Sequence, residues 1–96
     1  MKDQELSRFI QQILITSSQE KAYLTLSELE RIMQQMVTPP SQLRMIQIAR
    51  DNYPETREMA IERNNASLTL ADLQIAAERR RQRIAREKAM QNDGRC

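Results

Sequence analysis

Residues 24–29 read Leu-Thr-Leu-Ser-Glu-Leu, and residues 68–73 read Leu-Thr-Leu-Ala-Asp-Leu. In each copy the threonine hydroxyl is placed to accept a hydrogen bond from the backbone N–H of the acidic residue three positions later. The acidic side chain is placed to accept from the threonine N–H in return, and it suits the positive end of a helix dipole. The two copies therefore predict helix N-termini at Thr25 and Thr69.

The leucines of the hexamer strengthen this prediction. Leu24 and Leu68 precede the threonines at the spacing that lets each contact the leucine after the acid, Leu29 or Leu73. Beyond these six positions the two sequences diverge at once. Because the match is so short, we favour capping chemistry that arose twice independently. Duplication of a domain stays open as the alternative.

Apolar residues recur at spacings of three and four in five segments, which predicts helices, and no stretch alternates in the manner of a strand. The predicted helices cover residues 4–16, 26–37, a third segment opened by Pro39 and Pro40 with its apolar stripe at 43–53, 54–63, and 69–90. A polar break is expected at residues 17–21. The predicted fold is all-α, a small bundle of four or five helices with a long, Arg-rich C-terminal helix.

Chain length and the last helix suggest how the molecule is organised. Ninety-six residues make one domain. The apolar seam of the last helix is interrupted at Arg80, so residues 1–77 are expected to form a compact helical body. Residues 78–96 are expected to form a basic helical extension with a frayed tail.

The composition argues against several function classes. The chain has no histidine, its one cysteine is Cys96 and its one glycine is Gly94. These absences leave no usual proton shuttle, no thiolate metal cluster and no glycine-rich phosphate loop, so we expect no enzyme, no cofactor and no metal. The start is acidic and the apolar stretch 9–15 is too short to span a bilayer, so we expect a cytoplasmic protein that does not enter membranes.

The Arg-rich end is the first candidate site. From residue 78 to residue 95 there are seven positive and three negative side chains. Arg79, Arg83 and Arg86 are spaced by four and three residues, so they form a stripe on one helix face that can follow a phosphate backbone. The predicted nucleic-acid-binding residues here are Arg79, Arg80, Arg83, Arg86 and Lys88. An acidic protein partner and a merely solvated helix face are the two other interpretations.

The second candidate site is the helix pair joined by residues 37–40. A tight turn followed by Ser41, Gln42 and Arg44 has the outline of a helix-turn-helix whose second helix reads bases. The turn lacks a glycine and the first helix is about two residues too long for that motif. An ordinary αα-hairpin is therefore the favoured alternative.

The apolar side chains supply the third candidate. Methionines line adaptable grooves for partner helices, although methionine at helical spacing is more often plain core. A homodimer is expected, with the first helix and the seam of the last helix in contact. The candidate partner-binding residues are Ile10, Ile13, Met33, Met36 and Leu73.

Two functions follow from these sites. The first hypothesis is a small, dimeric regulatory protein that binds nucleic acid through its basic C-terminal helix and the helix pair. The alternative is a helical adaptor or chaperone that receives a partner protein's helix, as in secretion or assembly. The alternative is favoured by residues 1–64, which carry eight positive and nine negative side chains and do not attract phosphate.

Overall fold

The computed structural model describes residues 2–93. These residues form five helices, α1 (Asp3–Thr16), α2 (Gln19–Gln34), α3 (Pro40–Asp51), α4 (Glu55–Glu62) and α5 (Leu70–Asp93). No strand occurs between residues 2 and 93, which confirms the all-α bundle with a long last helix. The end of the predicted tail, with Cys96, lies outside the described residues.

The start of α2 is the main difference from the prediction. The helix begins at Gln19 rather than after Thr25, and the hydroxyl of Ser18 accepts from the Lys21 N–H at 3.3 Å. Residues 19–22 read Gln-Glu-Lys-Ala, which are strong helix formers, so α2 includes residues 19–21 of the expected break, and the break itself is confined to residues 17 and 18. Thr25 therefore lies inside α2, and the prediction that it is an N-cap is wrong.

The end of α2 also comes earlier than predicted, at Gln34 rather than Val37. The Thr38 hydroxyl donates to the carbonyl oxygen of Met33 at 2.6 Å, and the backbone N–H of Met36 donates to the same carbonyl at 3.1 Å. These bonds satisfy carbonyl groups that the helix leaves unpaired at its C-terminus. The side chain of Thr38 thus ends the helix before the two prolines do.

The start of α5 is as predicted. The Asp72 N–H donates to the Thr69 hydroxyl at 3.1 Å, and the Thr69 N–H donates to the Asp72 carboxylate at 3.0 Å. Leu68 and Leu73 are both buried in the core cluster. The α3 start is likewise confirmed, because Pro40 occupies the first turn, where its missing N–H has no helical partner to lose.

One apolar core joins the helices. α1 packs on α2, α3 and α4, while α5 packs on α3 and α4. The buried apolar residues are Leu6, Ile10, Ile13, Leu14, Ala22, Leu26, Met33, Met45, Ile46, Ala49, Met59, Ala60, Leu68, Leu73 and Ala76. This core fixes which helix faces are left for other contacts.

Two buried polar side chains of α1 bind the end of α4 and the connection between α4 and α5. The Gln11 amide of α1 donates to the carbonyl oxygens of Ala60, Arg63 and Ala66 at 3.0, 2.8 and 3.3 Å. These contacts hold the C-terminus of α4 and the loop after it against α1. The Ser7 hydroxyl donates to the Leu68 carbonyl, which ties the same helix to the start of α5.

Candidate functional surfaces

The arginines of α5 point partly toward the bundle and are largely paired there. Arg79 pairs with Glu62 at 3.2 Å and Arg83 pairs with Glu55 at 2.5 Å, so both fasten α5 to α4. Arg81 pairs with Glu78 on its own helix. These contacts use much of the positive charge that the sequence suggested for phosphates.

Among these ion pairs, Arg83–Glu55 has the most buried carboxylate. Burial of the Glu55 carboxyl by itself favours its neutral form, but the hydrogen bond from Arg83 and nearby positive charge outweigh that effect and lower its pKa. Arg83 also pairs with Glu87 at 3.1 Å. Two carboxylates therefore flank Arg83, and its charge is matched within the chain.

Beyond Arg83 the helix leaves the bundle. α5 has 24 residues, roughly 36 Å at 1.5 Å per residue, and the molecule is 53 Å in its longest dimension. Arg86 and Lys88 are exposed, and among the side chains of residues 2–90 no carboxylate lies at ion-pair distance from either. The division into a body of 1–77 and an extension of 78–96 stays a prediction, although ion pairs to α4 continue as far as Arg83.

The α2–α3 pair presents only part of the predicted base-reading set. Ser41 and Arg44 are exposed at the start of α3. Gln42 is buried and donates to the Asp3 carboxylate of α1 at 2.9 Å, so it holds α3 to α1. The structure therefore brings two of the three predicted side chains to the surface.

The predicted partner-binding residues separate into core and surface. Ile10, Ile13, Met33 and Leu73 are buried in the bundle. Met36 is exposed just after the end of α2. Of this set, Met36 is the member that a partner reaches without opening the bundle.

A shallow apolar groove between α1 and α2 is a surface that the sequence reasoning missed. It is lined by Phe9 of α1 and by Leu24, Thr25, Glu28, Leu29 and Ile32 of α2. Phe9, Leu24 and Ile32 are 47%, 61% and 48% exposed, whereas Leu29 is half-buried against the core. We call these six residues the α1–α2 groove.

The position of the α2 start explains why the groove was missed. With α2 beginning at Gln19, its buried face runs through Ala22, Leu26 and Met33. Leu24 and Ile32 lie on a different face, and each is one helical turn from Glu28. The sequence does carry a signal for this groove, because α2 has more apolar residues than a single buried stripe requires.

The described chain contains neither a metal cluster nor a membrane span. No group of three or more acidic side chains is placed to hold a metal among residues 2–90. None of the described helices combines the length and the apolar character needed to cross a membrane. Comparison with known protein families, curated proteins and solved structures finds no match to this chain.

Proposed function

We propose that this chain is a non-enzymatic helical adaptor that binds a helix of a partner protein in the α1–α2 groove. The supporting observation is the exposure of Phe9, Leu24 and Ile32 around one continuous groove. Clustered apolar surface of this kind marks interaction sites, whereas apolar residues scattered singly need no explanation. A partner that covers the groove removes three large apolar side chains from water together.

The shape of the groove favours a helix as the occupant. Leu24, Glu28 and Ile32 are spaced by four residues and form a ridge about 12 Å long on α2. Phe9 stands on α1 across from that ridge. A third helix with apolar residues at spacings of three, four and seven fits between two such helices by the packing that helices use in bundles.

Charge specifies the partner further. Glu28 is the charged side chain of the groove lining, and its ion pair with Arg31 at 2.6 Å is solvent-exposed on both sides. Exposed pairs of this type contribute little and are readily exchanged. A lysine or arginine at the centre of the partner helix therefore complements Glu28 once the groove is covered.

We further propose a cytoplasmic location, since a chain with one cysteine has no need of an oxidising compartment. Self-association stays part of the proposal through Met36, which is exposed just after the end of α2. A homodimer built on this end leaves the rest of the groove for the partner.

The test uses two labelled, conformationally stapled 16-residue helices with leucines at every third and fourth position. One carries lysine at its centre and the other carries glutamate. Fluorescence anisotropy gives their Kd for the wild type, for Ile32→Asp and for the control Ile75→Asp. Ile32 and Ile75 are 48% and 45% exposed, so the two changes cost the free protein similarly.

We expect the lysine peptide to bind more tightly than the glutamate peptide, and Ile32→Asp to weaken it more than tenfold, about 1.4 kcal/mol. Ile75→Asp should change the Kd less than twofold. Equal weakening by both substitutions contradicts the proposal. Sedimentation that shows a wild-type dimer abolished by Ile32→Asp but retained in Met36→Asp identifies a second copy as the occupant of the groove and also contradicts the proposal.

Nucleic-acid binding stays a second candidate because Arg86 and Lys88 are exposed and unmatched within the described chain. A labelled mixed-sequence duplex at about 50 and about 200 mM salt tests it. The double change Arg86→Ala, Lys88→Ala should weaken binding and reduce the salt slope, since each lost phosphate contact removes roughly 0.9 from it. Arg81→Ala is the matched control, because Arg81 is already paired with Glu78. Absence of binding at low salt contradicts this candidate.

A further inference from the structure

A pocket of about 530 Å³ lies between α1 and the connection that joins α4 to α5. It shares no lining residue with the α1–α2 groove. Every lining residue except Ala66 has a polar side chain, and these are Arg8, Gln11, Gln12, Asn64, Asn65 and Ser67. The volume falls within the roughly 300–1,000 Å³ of small-molecule sites, and the polar lining suits a ligand with several hydrogen-bonding groups.

Gln11 is the buried member of this lining and is only 6% exposed. Its Nε2 donates to three backbone carbonyl oxygens, and these bonds fix which end of the amide is the nitrogen. Its Oε1 accepts no hydrogen bond within the described chain but is open to solvent. Because Gln11 lines the pocket, Oε1 is an acceptor that a hydrogen-bond donor in the pocket can reach.

The backbone wall of the pocket is held in place by bonds within the chain. The Gln11 amide fastens the carbonyl groups of Ala60, Arg63 and Ala66 to α1. The connection also bonds to itself, because the Ala66 N–H donates to the Arg63 carbonyl oxygen at 2.8 Å. A wall that is fixed before binding lowers the entropic cost of ordering it around a ligand.

The asparagines of the connection keep their side chains free. Asn64 and Asn65 make no side-chain hydrogen bond within the described chain, and neither do Gln12 and Ser67. Asn52 differs, because its amide donates to the backbone carbonyl oxygen of Ile48 at 2.9 Å, as asparagine side chains near turns commonly do. Four neutral polar side chains therefore line one pocket without an internal partner.

Arg8 gives the pocket its positive charge. It is exposed, and among the described side chains no carboxylate lies at ion-pair distance from it. No residue of the lining is acidic. Arg63, whose carbonyl group bonds to Gln11, has its own charge matched by Asp72 at 3.3 Å. The pocket therefore favours an anionic group, and a guanidinium can donate two parallel N–H bonds to a carboxylate or a phosphate.

We propose that this pocket binds a hydroxylated anion, a sugar phosphate or a sugar acid. The anionic group pairs with Arg8, and a ligand hydroxyl donates to Gln11 Oε1. Further hydroxyls both donate to and accept from the amides of Asn64 and Asn65. The lining has no aromatic or large apolar side chain on which a nucleobase or a hydrocarbon chain could pack. This site does not rest on the adaptor function.

The experiment is an NMR titration of the full chain with glucose 6-phosphate, gluconate, glucose, inorganic phosphate or sodium chloride, with ionic strength matched throughout. The readouts are the side-chain amide signals of Gln11, Asn64 and Asn65. Arg8→Gln removes the charge of the pocket at an exposed position. Arg57→Gln is the matched control, because Arg57 is also exposed and without an ion pair in the described chain, but it lies on α4 outside the lining.

We expect a saturable shift of these signals with glucose 6-phosphate, with gluconate or with both. Glucose and inorganic phosphate should each bind at least about tenfold more weakly, because one lacks the charge and the other lacks the carbon-bound hydroxyls. Arg8→Gln should raise the Kd at least about tenfold, whereas Arg57→Gln should change it less than about twofold. Saturation by glucose 6-phosphate alone identifies a phosphate ligand, and saturation by gluconate alone identifies a carboxylate ligand.

Three results overturn the proposal. Shifts that are linear with both anions, or equal to those in sodium chloride, indicate that water satisfies Gln11 Oε1. Equal binding of inorganic phosphate and glucose 6-phosphate means that the hydroxyls make no contact. Equal weakening by Arg8→Gln and Arg57→Gln indicates attraction by the net charge of the chain and not by this pocket.

Discussion

The segments 24–29 and 68–73 share one pattern but have different structures. In the second, Thr69 and Asp72 form a reciprocal pair of hydrogen bonds that begins α5. In the first, Thr25 lies within α2, and Glu28 pairs with Arg31 one turn onward instead of with the backbone. The same six-residue pattern thus gives a cap in one context and ordinary helix in the other.

The residues upstream account for the difference. Residues 64–67, Asn-Asn-Ala-Ser, favour turns, so the chain arrives at Thr69 without helical structure and the cap forms there. Residues 19–23 favour helix and have their own cap at Ser18. A capping box is therefore realised where the preceding residues do not extend the helix.

Truncating the leading leucines should give the largest contrast between the segments. Leu68 is 1% exposed and Leu24 is 61% exposed. Leu68→Ala removes buried side-chain volume and should lower the free energy of unfolding by about 2–5 kcal/mol. Leu24→Ala should change it by less than about 0.5 kcal/mol. Urea unfolding followed by circular dichroism measures both, and similar losses from the two substitutions contradict the comparison.

Removing the threonine hydroxyls should give a smaller contrast. Thr69→Ala removes the acceptor for the Asp72 N–H and should cost about 0.5–2 kcal/mol of unfolding free energy. Thr25→Ala places a better helix former inside α2 and should be neutral or stabilising by up to about 0.5 kcal/mol. The same unfolding assay applies. A Thr25→Ala variant that loses as much stability as Thr69→Ala would mean that Thr25 caps a helix in solution.

Much of the fold was predictable from local signals. The proline start of α3, the capping box of α5 and the absence of strands between residues 2 and 93 each follow from a few neighbouring residues. The start of α2 was not predictable in this way, because Ser18 and Thr25 are both acceptable N-caps. The choice between them depends on the helix propensity of the residues that lie between the two. An error of seven residues there left Leu24 outside the predicted helix, so its place beside Ile32 on one exposed face of α2 was not predicted.

The candidate sites were harder to predict because they depend on tertiary contacts. Arg83 was assigned to a basic stripe of the last helix, but its pairing with Glu55 of α4 joins residues 28 positions apart. From the sequence alone, Gln42 is a reasonable base-contacting residue. The structure shows that it is buried and donates to Asp3 of α1. Charge pattern along one helix indicates which side chains lie together, whereas the partners of those side chains come from other helices.

The smallest expected effect concerns the pH dependence of the cap at Asp72. Burial alone raises the pKa of this carboxyl, but the hydrogen bonds from Thr69 and the pairing with Arg63 outweigh it and hold the pKa below the ordinary value of 3.8. A carboxyl with a depressed pKa in the folded state stabilises the fold above its unfolded pKa, and that contribution is lost as pH falls through the folded value. Asp72→Asn removes this dependence while keeping a side-chain oxygen that accepts from the Thr69 N–H.

The difference in unfolding free energy between wild type and Asp72→Asn should therefore be present at pH 7 and shrink as the pH falls below about 4. Glu55 contributes to acid sensitivity in both proteins and cancels in this difference. Chemical denaturation at pH 7, 5 and 3 measures it. A difference that is constant across these pH values would show that the Asp72 charge does not stabilise the start of α5, and that Thr69 alone distinguishes this segment from residues 24–29.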